Sequence, residues 1–159
     1  MALPVGFRNI DSGTMTDSSK HHIIVGVDGS DSSIEALREA AEIAEALDVP
    51  LEATTAWEFP VMGEYTPIRD WSPEEDAKKI LSSAVSRAFP DAPPSDLELT
   101  TVRGPAARTL IEVSKDARML VLGSRGHGGF VGMLLGSVSA ACAEHAHCPV
   151  LVVHRPRPA

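Results

Sequence analysis

The residues best placed to do chemistry lie in Gly123-Ser-Arg-Gly-His-Gly-Gly-Phe-Val-Gly-Met-Leu-Leu-Gly-Ser-Val-Ser139, where an apolar strand-like run ends and a helix begins. Glycine loses more backbone freedom on folding than any other residue, so a loop this rich in it needs a compensating interaction. A polyphosphate supplies one. Backbone amides without a neighbouring Cβ approach the anion closely, and a helix N-terminus presents unpaired N–H groups carrying partial positive charge. Each such dipole contact is worth about 0.3–1 kcal/mol when exposed, so several must act together. Ser137 and Ser139 offer hydroxyl donors at that helix end, and Arg125 offers a full charge. His127 reads either as an anion contact or as a solvated loop histidine. The alternative reading of the whole segment is a turn that merely carries the chain over a sheet.

Spacing narrows the chemistry. A Walker loop requires Gly-Lys followed by Ser or Thr, which the chain lacks, and the dinucleotide fingerprint fails because Val131 stands where the third glycine is required. The pattern present is G-x2-G-x9-G-S, formed by Gly123, Gly126, Gly136 and Ser137. Asp28-Gly29-Ser30 is a second candidate, read either as a polar ligand contact or as a turn leading to a helix cap. Glu144-His145-Ala146-His147-Cys148 contains metal-ligating types but straddles a helix end and a strand start, so convergence is not required of it and no metal site is assigned. Cys142 reads as a core residue.

These candidates need elements to hold them. From His22 onward, short β-branched runs alternate with helically spaced segments, the pattern of βαβ units around a parallel sheet. Five strands are expected. Ile23–Val27, Met119–Leu122 and Val150–Val153 are continuously apolar, as suits central strands or strands covered by a partner. Leu51–Trp57 is more mixed, and Leu97–Thr101 alternates as a half-exposed edge would. A first helix follows Asp31, with Ser32 and Glu35 at capping-box spacing, and runs to about Leu47. Ser72-Pro73-Glu74-Glu75 starts a second. Shorter helices are expected near 105–114 and 137–145. The connection from Glu58 to Trp71, with Pro60, Gly63, Tyr65 and Pro67, is long for a βα loop and reads as a ligand lid or a variable surface loop.

The chain has 159 residues, enough for one domain with an ordinary core, and its 14 Lys and Arg against 22 Asp and Glu give a net charge of -8. That balance argues against nucleic acid or an anionic membrane as the default partner. Two cysteines provide no disulfide framework, which points to a reducing cytoplasm. No apolar stretch approaches a membrane span, and the first residues lack the plan of an export signal. Residues 1–20 read as a flexible tail, 21–155 as a single domain and 156–159 as a short C-terminal tail.

The glycine-serine motif, together with IIVGVDGSDSS before an Ala-rich helix, V-R-G-P-A at Val102–Ala106 and the closing C-P-V-L-V-V, resembles the ATP-binding branch of the universal stress protein family over roughly His21–His154. The resemblance implies an α/β fold, Rossmann-like and related to the adenine nucleotide alpha hydrolases: a five-stranded parallel sheet of order 3-2-1-4-5 with helices on both faces. It places Gly26, Val27 and Asp28 beside adenosine, and Ala56 with its backbone toward the adenine edge. Leu122, Gly123, Arg125 and Gly126 would flank ribose and phosphates, with Gly136, Ser137, Val138 and Ser139 around the phosphate tail. It further implies ATP with Mg or Mn, and a homodimer through the last strand, about 149–154. In such a sheet, ligands favour the crevice where the strand order reverses, between the ends at Asp28 and Gly123.

Three functions follow as alternatives. The first is an ATP-binding regulatory or stress-response protein with no required catalysis and with protein partners unnamed by the sequence. The second is a slow ATPase or autophosphorylating enzyme, for which no general base stands out. The third is a nucleotide-free dimeric interaction module, disfavoured by the intact motif. The adenylating ATP pyrophosphatases are more distant, since their S-G-G-x-D-S loop is absent around Val27–Ser32.

Overall fold

The β-branched and leucine runs pair side by side, every pairing parallel, into one sheet of order β1-β4-β3-β2-β5-β6. The strands are β1 (Phe7–Ile10), β2 (Ile23–Gly26), β3 (Leu51–Trp57), β4 (Leu97–Arg103), β5 (Met119–Gly123) and β6 (Val150–Val153). The structure, a computed structural model, describes residues 7–10, 22–60, 70–127 and 132–155. Among the described residues four α-helices connect β2 to β6: α1 (Asp31–Leu47), α2 (Pro73–Ala88), α3 (Ala106–Val113) and α4 (Ser137–His145).

Strand alternation divides the core. Ile23, Val25 and Val121 face α1 and α2, where they meet Leu37 and Leu81, while Ile24, Leu120 and Leu122 face the other way and join Leu110 and Cys142. Each fully buried aliphatic side chain contributes about 1.5–3 kcal/mol relative to exposure, so both faces drive the fold. Burial also pushes the Cys142 thiol up to about 11, which keeps it an inert packing group.

Five strands have the expected relative order, with β4-β3-β2-β5-β6 standing for 3-2-1-4-5. The sixth is a correction. Within the expected tail, residues 7–10 form β1, which pairs with β4 in the register Phe7↔Leu99 to Ile10↔Val102. Consequently β4 is an interior strand and not the edge its alternation suggested, and Thr100 and Thr101 are fully buried. At the other side β6 is an edge strand with all four residues half-buried. The rest of the tails, most of the 58–71 connection including Tyr65, and the centre of the glycine loop lie outside the described residues.

The cap of α1 also differs. Ser30 is the N-cap and accepts from the Ser33 amide, whereas Ser32 turns its hydroxyl to the Arg125 carbonyl and Glu35 pairs with Arg38. Capping-box spacing was present, but the tertiary acceptor at Arg125 and the partner at Arg38 took both side chains. For α2 the expected start holds: Ser72 caps it, Pro73 opens it, and three acidic residues occupy its first turn.

Candidate functional site

The order reversal between β2 and β5 leaves a cavity of about 400 Å³ beyond their carboxyl ends. Gly26 ends β2 and Gly123 ends β5, and the chain turns away from each in opposite directions, to α1 and toward α4. All twelve residues singled out from the sequence line this space: Gly26, Val27, Asp28, Ala56, Leu122, Gly123, Arg125, Gly126, Gly136, Ser137, Val138 and Ser139.

Backbone pairing fixes the walls. The Val27 amide donates to the Thr54 carbonyl at 2.9 Å, and the Thr55 hydroxyl donates to the Val27 carbonyl at 2.7 Å. The Ser124 amide donates to the Val153 carbonyl at 2.8 Å. Both ends of the glycine loop then meet at one acceptor, because the Ser124 carbonyl receives the Gly136 amide at 2.7 Å and the Ser139 hydroxyl at 3.0 Å. The loop is thus closed at its base whatever lies beyond.

Asp28 forms the turn that was one of its two readings, and it also holds the glycine loop. Its Oδ1 accepts from the amide and the hydroxyl of Ser30, forming the turn into α1, while Oδ2 accepts from the His127 amide at 3.3 Å and ties that turn to the glycine loop. Burial pushes its carboxyl up, but the Ser30 hydroxyl and amide outweigh this and hold it below its ordinary value of 3.8. It therefore presents a fixed acceptor to the cavity at neutral pH.

Gly123 is sterically required by backbone, and Gly126 is packed against a side chain. A Cβ on Gly126 would collide with Asp28 Oδ2, and one on Gly123 would stand 2.6 Å from the Ser32 carbonyl carbon. Gly136 differs, since its Cβ would meet Arg125 Cα at 3.4 Å, an ordinary contact. Gly136 is the N-cap of α4, and among the described residues no side chain caps that helix. Its first-turn residues Ser137, Val138 and Ser139 line the cavity, at the helix end that carries partial positive charge. Ser137 is exposed there, but the Ser139 proton is committed to the Ser124 and Gly136 carbonyls, so that hydroxyl secures the loop and is not a free donor.

Sequence reasoning passed over Ser33, Thr54, Thr55, Ile80, Ala106, Leu110, Met133 and Leu135, which also line the cavity, as does Ser30 of the second candidate. Ile80 and Leu110 recur at core spacing, and helical periodicity does not separate a pocket wall from a core face. Ala106 had a readable signal, since V-R-G-P-A starts a helix at the carboxyl end of β4. Together with Val27, Ala56 and Leu122, these residues make an apolar wall for a flat ring. Asp28, Arg125 and the α4 N-terminus supply polar groups, the mixture small-molecule sites use.

This donor set fits a nucleotide with its phosphates toward α4. Among the described residues, no three His, Cys, Asp or Glu side chains gather to hold a metal.

Comparison with known proteins agrees with the fold. The model of the universal stress protein family matches residues 20–154. A universal stress protein of Mycobacterium tuberculosis (strain ATCC 25618 / H37Rv) is 36% identical over 146 residues, covering 83% of this chain and 47% of the relative. The chain thus spans about half the length of the curated relatives it matches. A crystal structure of a universal stress protein in complex with cAMP has 34% identity and a TM-score of 0.62, covering 86% of this chain and 98% of that one. One from Archaeoglobus fulgidus in complex with dAMP has 25% identity and a TM-score of 0.59, covering 85% and 98%.

Proposed function

The chain belongs to the universal stress protein family, and from that premise we propose that it is a regulatory protein that binds an adenine nucleotide, ATP with Mg or Mn, in the cavity between β2 and β5. The observation that carries this reading is the convergence of the apolar wall, the Asp28 turn and the uncapped α4 N-terminus on one space of about 400 Å³. The two nucleotide-bound relatives support the choice of base, since cAMP and dAMP share adenine. The glycine loop supports the choice of a phosphate chain, because Arg125, Gly126 and the first turn of α4 line one cavity.

In this role Ala56, Leu110 and Leu122 bury the base, Asp28 accepts from base or ribose hydroxyl, and Arg125 with the Ser137 and Val138 amides neutralises phosphate. Two further parts belong to the proposal. A homodimer through 149–154 would cover β6, whose half-buried edge supports it. A cytoplasmic location accords with free Cys142 and Cys148. No helix among the described residues is long and apolar enough to cross a membrane.

The test is to denature freshly purified protein and identify the released nucleotide by chromatography with mass detection, beside Gly126→Glu. Near-stoichiometric ATP from the parent, and none from a variant whose circular dichroism spectrum and cooperative melt show it to be folded, is the expected result. Calorimetric titration of ATP with Mg covers the case in which the parent purifies empty. Protein that is empty and also fails to bind added ATP would replace this reading with the nucleotide-free dimeric module.

A further inference from the structure

The nucleotide cavity does not end at the glycine loop. Across the Arg125–Gly126 backbone lies a second recess of about 910 Å³, which shares Ser30, Arg125, Gly126 and Met133 with the first. Its far wall is built from Leu134, His154 and Arg155. A single additional phosphate would leave most of that space unfilled; the volume is that of a second drug-sized group.

Its charge is opposite to that of the whole chain. Among the described residues lining the recess, Asp31 is the sole carboxylate, and it is shared by two guanidinium groups: Arg155 Nη1 at 3.0 Å and Arg87 Nη2 at 2.7 Å. Arg125, exposed on the shared wall, is the second arginine of the lining beside Arg155, since Arg87 reaches Asp31 from outside it. Two lining arginines against one lining carboxylate, on a protein of net charge -8, leave a local positive surplus that a phosphate chain can neutralise. Beside it stand two large apolar side chains left open to solvent, Met133 at 49% and Leu134 at 74% exposure. An anionic bridge followed by a flat apolar group matches this sequence of surfaces.

We propose that the recess is a second nucleoside subsite, and that the protein accepts dinucleoside polyphosphates: one adenosine in the first cavity, the phosphate bridge across Arg125 toward Arg155, and the second nucleoside against Met133 and Leu134. This rests on the nucleotide reading above and specifies its ligand class. Arg155 and Leu134 are outside the first cavity, so changing them separates the two claims.

The experiment is calorimetric titration of the full chain with ATP, adenosine 5′-tetraphosphate and diadenosine tetraphosphate, for the parent, Arg155→Ala and Leu134→Ser. Diadenosine tetraphosphate should bind the parent about tenfold more tightly than ATP, the scale of one charge-assisted contact. Arg155→Ala should remove that advantage and leave ATP affinity unchanged. Leu134→Ser should lower affinity for the dinucleotide but not for adenosine tetraphosphate, which lacks the second base. Equal affinity for ATP and the dinucleotide in the parent overturns the second subsite while the nucleotide site stands. So does an equal loss for all ligands in either variant. Failure of every nucleotide to bind removes both readings together. Both substitutions are at exposed positions, and thermal melts of the free proteins establish that the variants fold.

Discussion

The glycines of the loop are not equivalent. Gly123 packs its α-carbon against the first turn of α1, where a methyl group would press on the Ser32 backbone, which moves only if the helix moves. Gly136 faces open contact and has extended backbone, φ −71° and ψ 167°, that alanine adopts freely. Gly123→Ala should therefore cost about 1–3 kcal/mol by overpacking, while Gly136→Ala stays within about 0.5 kcal/mol. Urea unfolding of the two variants checks this, and equal midpoints would refute the packing account. The motif spacing names both positions but does not say which excludes a side chain. That depends on Ser32, a residue of another element. Asp28 teaches the same lesson: its place in the chain was legible, but its bond to the His127 amide joins segments almost a hundred residues apart.

Among the elements, β1 was the least legible. Phe-Arg-Asn-Ile has only two apolar residues and runs into the Ser-, Thr- and Asp-rich sequence that follows it, so local composition reads as tail. It becomes a strand because β4 offers an unpaired edge, and an unpaired edge costs more than a weak strand does. β1 also lies outside the segment that the family model matches. A chain beginning at Lys20 should lose roughly 1–3 kcal/mol of stability, the net worth of a few backbone hydrogen bonds. It should also associate as concentration rises, because β4 then presents an open edge. Denaturant midpoints and light scattering measure the two effects; no change in either would mean that β1 does not protect the sheet. The helices were more legible, since α2 displays its cap, its proline and its acidic first turn in consecutive residues.

For the whole molecule, the asymmetry of the sheet is the determining feature. One edge is capped by the chain's own β1, and the other, β6, is left half-buried. Leu151 and Val153 pack on the core and Val150 on the opposite face, which leaves Val152 as the β6 side chain outside both clusters. If copies pair through this edge, Val152→Lys should give a monomer by light scattering while the fold and nucleotide content persist, because a buried unpaired charge at the interface is costly. A parent chain that is already monomeric would remove the proposed dimer.

What the sequence by itself determined is the part encoded by local repetition: the alternation of strands and helices, the relative order of five strands through the family resemblance, and the glycine-serine loop at a switch point. These are legible because periodicity, caps and glycine spacing act over a few neighbouring residues. The tertiary structure alone decided the sixth strand, the acceptors that Ser32 and Ser139 choose, the contribution of Ile80 and Leu110 to the cavity, and the joining of that cavity to a cationic recess. Each depends on groups distant in sequence meeting in space, and hydrogen-bond partners, steric limits and local charge surplus exist only once those distances are set.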